Sequence, residues 1–299
     1  MTPSRERPSR GGPGHSGMSR PIGIFDSGLG GLTVVRAIRR RLPAESIVYF
    51  GDTARVPYGI KSGRTIARFA AEDCEFLLRH DPKCIVAACN TASAAAIPTL
   101  TKRFDVPIFG VIEPGAAAAV RASGARPIGV LGTEATIASG AYRRAILKHM
   151  PDARLVERAC PLLVPLVEEG RSSGDPIVRA VLEEYLSPMR AAGVGAVVLG
   201  CTHYPLLREA IAEALGPGVT LVDSAAAVAE EVASQLASAN LLASGRTGAV
   251  RFFVSDNPER FRRVGGRFLG ERVDTVALVT PEEFFADSRV APAPAEDAS

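Results

Sequence analysis

Short apolar runs alternate with longer stretches of helical periodicity along most of the chain. Residues 22–25 form the first run, and a polar, glycine-rich turn follows it, Asp26-Ser27-Gly28-Leu29-Gly30-Gly31. Residues 32–42 then carry apolar positions at helical spacing. The same pattern predicts strands over 46–50, 84–88 and 107–111, and helices over 64–79 and about 93–103. A second series begins near Glu113-Pro114-Gly115, with strands over 127–132, 196–200 and 220–224 and helices over 177–192, 206–215 and 225–238. Residues 161–170 read as an apolar loop ending in Glu168 and Glu169. A strand over 250–255 and a helix over 257–268 follow, and the pattern does not say where they pack. Continuous apolar runs bounded by turns suit strands buried on both faces. Strands alternating with helices predict an α/β fold, a mostly parallel sheet with helices on both faces.

Two features of this pattern occur twice. Pro21-Ile22-Gly23-Ile24-Phe25-Asp26-Ser27 is matched 106 positions later by Pro127-Ile128-Gly129-Val130-Leu131-Gly132-Thr133. The strand that runs into Cys89-Asn90-Thr91-Ala92-Ser93 is matched by the strand that runs into Cys201-Thr202-His203-Tyr204-Pro205, its thiol 112 positions away. Internal duplication is the economical reading. It gives two halves facing each other across a cleft, each with a thiol at a strand end. Asn90 and Thr91 are expected to cap the helix after Cys89, and Ser27 or Asp26 the helix after the first strand.

The chain of 299 residues is long enough for one large domain or two ordinary ones, and 46% apolar residues supply a full core. A net charge of +3 is too slight to imply nucleic acid or a membrane surface, and no apolar run approaches the ~20 residues of a membrane helix. Five cysteines, an odd number with no C-x-x-C pair and no secretory signal peptide, point to free thiols and a cytoplasmic location. Residues 1–20 and the tail from about 284 to 299 hold little to bury and are expected to be disordered, with Met1 or Met18 as the translation start.

Cysteines are usually small buried hydrophobes, and Cys74 and Cys84 fit that reading. Cys89 and Cys201 differ, because ligands of open α/β sheets bind beyond the carboxyl ends of strands. A pair of facing thiols could bind metal, but only His203 is nearby as a further ligand. It could form a disulfide if the Cα atoms closed to about 6 Å. Or it could move protons on both faces of one carbon, one thiolate removing a proton and the opposite thiol supplying one. His203 is either structural or a partner of Cys201. Asp26 is either a cap or an acid beside a substrate ammonium or Cys89. Its glycine turn fails the dinucleotide pattern, since Thr33 stands where the last glycine belongs. Asp52 carries the same ambiguity, and the Tyr58-Gly59 turn offers backbone N–H groups to a carboxylate. The acids Glu168 and Glu169 are either a solvated helix end or a group aimed at His203.

Four stretches, in order and together, resemble the glutamate racemase family of cofactor-independent aspartate/glutamate racemases. They are Phe25-Asp26-Ser27-Gly28-Leu29-Gly30-Gly31-Leu32-Thr33, Gly51-Asp52-Thr53-Ala54-Arg55-Val56-Pro57-Tyr58-Gly59, Ala88-Cys89-Asn90-Thr91-Ala92-Ser93 and Gly200-Cys201-Thr202-His203-Tyr204-Pro205. The resemblance covers about residues 20 to 275. It implies two α/β domains related by a pseudo-two-fold axis with the site in the cleft between them: residues 21–112 with about 225–280, and residues 113–224. It implies interconversion of L- and D-glutamate without a cofactor, the D-isomer supplying peptidoglycan. Cys89 and Cys201 would be the acid/base thiols, Cys89 acting on the D-isomer and Cys201 on the L-isomer. Asp26 would assist Cys89, Glu168 and His203 would assist Cys201, and Asp52 would be a further acid. Ser27, Tyr58, Gly59, Asn90, Thr91 and Thr202 would contact substrate. The partner expected is small-molecule glutamate, with a homodimer left open.

Rival readings remain at this point. A pyridoxal phosphate racemase needs a buried lysine, and Lys61, Lys83, Lys102 and Lys148 lack such a context. A Cys–His hydrolase would use Cys201 and His203 but leave Cys89 idle. An aspartate or other amino-acid racemase of the same family, or a two-domain amino-acid-binding protein without turnover, fits the pattern as well.

Overall fold

A computed structural model describes residues 19–285. The expected arm and tail lie mostly outside the described residues, but their inner ends are packed. Arg20 donates to the Pro82 carbonyl at 2.8 Å, and the Phe284 ring stacks on Phe50 with centroids 5.2 Å apart.

The first half opens with β1 (Ile22–Asp26), α1 (Leu32–Arg41), β2 (Ile47–Gly51), α2 (Gly63–Leu78), β3 (Cys84–Ala87), α3 (Asn90–Arg103) and β4 (Ile108–Gly110). The chain continues through α4 (Ile112–Ala122), β5 (Ile128–Gly132), α5 (Glu134–Ala138), α6 (Ala141–His149), β6 (Leu155–Ala159), α7 (Leu163–Glu168), α8 (Pro176–Ala191), β7 (Ala196–Gly200), α9 (Arg208–Leu215), β8 (Thr220–Asp223) and α10 (Ser224–Ser238). It ends with β9 (Val250–Val254), α11 (Pro258–Leu269), β10 (Val276–Leu278) and α12 (Pro281–Phe285).

Among the described residues the strands form two sheets, ordered β10-β9-β2-β1-β3-β4 and β6-β5-β7-β8, and every pairing is parallel. The order β2-β1-β3-β4 in one sheet repeats as β6-β5-β7-β8 in the other, which is the architecture of a duplicated unit. β9 pairs with β2, Ile47 opposite Val250, so the last strands return to the first sheet. The central strands are buried throughout because helices cover both faces, and this is why they appear in sequence as unbroken apolar runs. In each half the chain leaves the central strand toward one side and then the other. That topological switch opens a crevice between β1 and β3 and between β5 and β7. The loops that carry Ser27, Cys89, Thr133 and Cys201 all start at those points.

Several elements depart from the sequence reading. Residues 161–170 contain α7 rather than being loop throughout. Pro165 is its third residue, inside the first turn, where backbone N–H groups have no intrahelical partner and proline is tolerated. The helix after Cys89 begins at Asn90, about three residues earlier than expected. Cys89 takes the cap position instead, and the Asn90 and Thr91 side chains bond elsewhere. Likewise Gly31 sits at the cap of α1 with no side-chain cap bond. Asp26 instead ties the loop together, accepting from the Gly28 N–H at 3.0 Å.

Candidate active site

A cavity of about 510 Å³ lies between the two sheets, beyond the carboxyl ends of their strands. The first half contributes Ser27, Tyr58, Gly59, Cys89, Asn90 and Thr91 to its wall, and the second contributes Thr133, Glu168, Cys201, Thr202 and His203. Apolar rim residues such as Val56, Val164 and Pro165 surround these groups. The halves are in close register around it. Thr33 Oγ1 donates to the Thr202 carbonyl at 3.2 Å. A Cβ on Gly30 would lie 2.2 Å from Thr202 Oγ1 and 2.6 Å from the His203 ring, so only glycine allows this approach. Tyr142 Oη donates to Asn90 Oδ1 at 2.6 Å, and Thr91 Oγ1 shares hydrogen bonds with Thr133 and Thr136 at 2.9 and 3.1 Å.

Each thiol is only 6% exposed, and the two have opposite electrostatic surroundings. Burial and the Asp26 carboxylate push Cys89 up to about 12, and hydrogen bonds from the Ala92 N–H and Ser27 oppose them only in part. Cys89 is therefore a neutral thiol at pH 7. Cys201 Sγ faces His203 Nδ1 at 3.8 Å, and His203 Nε2 bonds Glu168 Oε1 at 2.9 Å. Burial works against charge on that imidazole. The hydrogen bonds and charges of Cys201 and Glu168 outweigh it and lift His203 to about 10. Glu168 would be raised by its burial, but bonds from His203 and Arg260 bring it down to about 2. A negative charge on Cys201 thus has an imidazolium beside it, anchored by a carboxylate behind.

Asp26 and Asp52 do not line the cavity. Asp26 is fully buried behind the Gly28 loop, and burial, opposed mainly by the His203 charge, raises its pKa. Its Oδ1 has no hydrogen-bond partner among the described residues, a costly state for a carboxylate and a tolerable one for a protonated acid. Asp52 is engaged in a cluster beneath the cavity wall. It accepts from Arg55 Nε at 2.6 Å, from Ser255 Oγ at 3.0 Å and from Tyr58 Oη. Arg55 also reaches Asp73 at 3.0 Å. The Tyr58 hydroxyl is thereby turned away from the cavity, and this cluster braces the Tyr58-Gly59 turn. Glu169 is exposed and paired with Arg171 at 3.3 Å.

Thr133 and Arg260 are among the polar groups of the wall that the sequence reading missed. Thr133 had a visible signal, because it stands where Ser27 stands in the duplicated strand. Arg260 had none: it comes from α11, more than ninety positions after Glu168, and donates to Glu168 Oε2 at 2.7 Å. Among the described residues no group of three or more His, Cys, Asp or Glu side chains is placed to hold a metal. Nor is any helix there long and apolar enough to cross a membrane.

Two parallel α/β halves of one topology, with a thiol from each at a shared cleft, define a class of proteins built by duplication around a small-molecule site. Residues 22–232 match the model of the Asp/Glu/Hydantoin racemase family, and the chain belongs to that family. The glutamate racemase of Geobacter metallireducens is 50% identical over 266 residues, 88% of this chain and 97% of the relative. Among solved structures, glutamate racemase from Thermus thermophilus in complex with beta-chloro-D-alanine is 49% identical, with a TM-score of 0.80 over 89% of this chain and 98% of that one. Glutamate racemase from Francisella tularensis in complex with D-glutamate is 40% identical, with a TM-score of 0.81 over 87% and 97%.

Proposed function

We propose that this protein is a glutamate racemase that interconverts L- and D-glutamate by proton transfer between Cα and two thiols. The observation that carries the reading is that Cys89 and Cys201 follow equivalent strands, β3 and β7, one in each sheet, and line one cavity. The names of the relatives support glutamate as the substrate. The D-isomer supplies peptidoglycan synthesis. All five cysteines are free, which suits a reducing cytoplasm. The two units are residues 21–112 with about 225–280, and residues 113–224.

In the L-to-D direction the Cys201 thiolate takes the Cα proton, forming an S–H bond as the Cα–H electron pair stays on carbon. The Cys89 thiol gives its proton to the opposite face, forming the new Cα–H bond and leaving a thiolate. The reverse reaction exchanges the roles. Charge is conserved, and each thiol needs an environment for both of its states. His203, backed by Glu168, supplies the positive partner for Cys201. Asp26 bears on Cys89, and a proton held on that buried carboxyl would remove its repulsion from a Cys89 thiolate. An amino acid Cα–H is far less acidic than a thiol of pKa about 8.5, so the developing carbanion must be stabilised at the carboxylate. Ser27, Asn90, Thr91, Thr202 and the Tyr58-Gly59 backbone are donors of the right kind around the cavity. Exclusion of water from the cleft strengthens each of them.

The test is optical activity. Purified protein with L- or D-glutamate and no added cofactor is followed by circular dichroism, with L- and D-aspartate run in parallel. Decay of the glutamate signal to zero from both sides is expected. Decay with aspartate alone would move the assignment to a sister activity, and decay with neither would leave an amino-acid-binding protein.

A further inference from the structure

The Glu168–His203–Cys201 series lies on the second half of the molecule, yet one helix of the first half holds it. Residues Arg260, Arg267 and Phe268 of α11 stand at i, i+7 and i+8, which puts them on one helix face. All three reach α7 or the imidazole. Arg260 Nη2 donates to Glu168 Oε2 at 2.7 Å. Arg267 Nη1 donates to the Val167 carbonyl at 3.0 Å, next to Glu168 in the chain. Phe268 sets its ring edge to face with His203, centroids 5.0 Å apart. Asn257 caps the helix by accepting from the Arg260 N–H at 3.0 Å, which fixes the turn that carries Arg260. The carboxylate of Glu168 is therefore held by two partners at once, one oxygen on His203 and the other on Arg260.

We propose that Arg260 is a positioning residue for the reaction: from across the cleft it fixes the Glu168 carboxylate, and through it the His203 ring beside Cys201. The proposal deepens the racemase reading and rests on it. Arg260 is a positioning residue rather than a catalytic one, since its contact runs through Glu168. An ion pair with an arginine side chain 40% exposed adds little to stability. Its consequence lies in geometry, because loss of alignment by about 1 Å can cost up to about 100-fold in rate.

The experiment uses the full chain and three proteins, wild type, R260Q and R260K. Racemisation is measured in both directions with ordinary and 2-deuterated L- and D-glutamate. A racemase has an equilibrium constant of one between enantiomers, so any loss in kcat/KM must be equal in the two directions. The isotope effects are not bound in this way. R260Q is expected to lose about tenfold in kcat/KM. Its isotope effect should rise with deuterated L-glutamate, where Cys201 takes the label, and fall with deuterated D-glutamate, where Cys89 does. R260K, which keeps the charge, is expected to recover most of the rate and the wild-type isotope effects. A loss with both isotope effects unchanged would show a merely structural arginine and overturn the proposal, as would wild-type kinetics in R260Q. If R260Q does not fold, R260M, which keeps the apolar stem and removes the charge, takes its place and is read by the same criteria. A wild-type protein that racemises no glutamate would instead overturn the proposed function itself, and the role of Arg260 with it.

Discussion

Glu168→Gln removes one charge from the His203 anchor while keeping a side chain of the same shape. The carboxylate lies 2.9 Å from Nε2. At an effective dielectric of about 20, two unit charges at that distance attract by about 6 kcal/mol. Glu168 is a quarter exposed and shares its charge with Arg260, so roughly a third of this, about 2 kcal/mol, is a realistic share. That is about 1.5 pH units, which would bring His203 from about 10 to roughly 8.5. The sign follows from the direction of the shift. A histidine whose folded pKa is raised contributes stability that is complete below its unfolded value of 6.5 and lost as pH rises through about 10. Glu168, lowered to about 2, contributes stability that is present above its unfolded value of 4.5 and lost as pH falls through about 2. Wild type should therefore weaken between pH 6.5 and 10, and E168Q should show a smaller loss over that window. NMR titration of the His203 ring protons in wild type and E168Q reads the shift directly. The alkaline limb of the L-glutamate rate profile should move down with it. An unchanged His203 midpoint in E168Q would refute the reasoning, because the carboxylate would then not be what keeps the ring charged.

Other perturbations separate the parts of the site. Cys89→Ser and Cys201→Ser should each lower kcat/KM by at least about a thousandfold in both directions, measured by circular dichroism, since a serine hydroxyl is a far weaker acid/base than a thiol. Gly30→Ala places a methyl 2.2 Å from Thr202 Oγ1. It should lower the melting temperature and, by pushing the halves apart, reduce kcat by more than tenfold; wild-type values of both would show that the contact yields freely. Tyr142→Phe removes the donor that fixes the Asn90 amide at 2.6 Å. It should raise KM about tenfold with a smaller effect on kcat, and the reverse split would place Asn90 outside substrate binding.

Much of the fold was legible because its central strands are buried on both faces and so appear as continuous apolar runs. Part of what escaped lies at sheet edges or carries proline in a first helical turn, and the short helices α5 and α6 escaped as well. β6, Leu-Val-Glu-Arg-Ala, is half-buried at the edge of its sheet, and its charges hide the run. β10 has three residues and also lies at an edge. Helices α4 and α7 carry Pro114 and Pro165 in their first turns, where the residue that usually signals a break is harmless. The wall of the cleft was legible where it sits at a strand end, as with Ser27, Cys89, Cys201 and His203. Sequence did not separate lining groups from buried supports, so Asp26 and Asp52 were read like the others although both lie behind the wall. Arg260 was illegible because a long-range ion pair leaves no local pattern.

The central claim is that two thiols serve opposite faces of one carbon, and exchange in D₂O tests it most directly. L-Glutamate is incubated with the purified protein, and both enantiomers are sampled early for deuterium at Cα by NMR after chiral separation. The account predicts that the D-glutamate formed carries deuterium while the remaining L-glutamate keeps its Cα proton, since Cys89 delivers the solvent-derived label to the far face. Deuterium appearing in the L pool as fast as in the D pool would mean one base working both faces, and would contradict it.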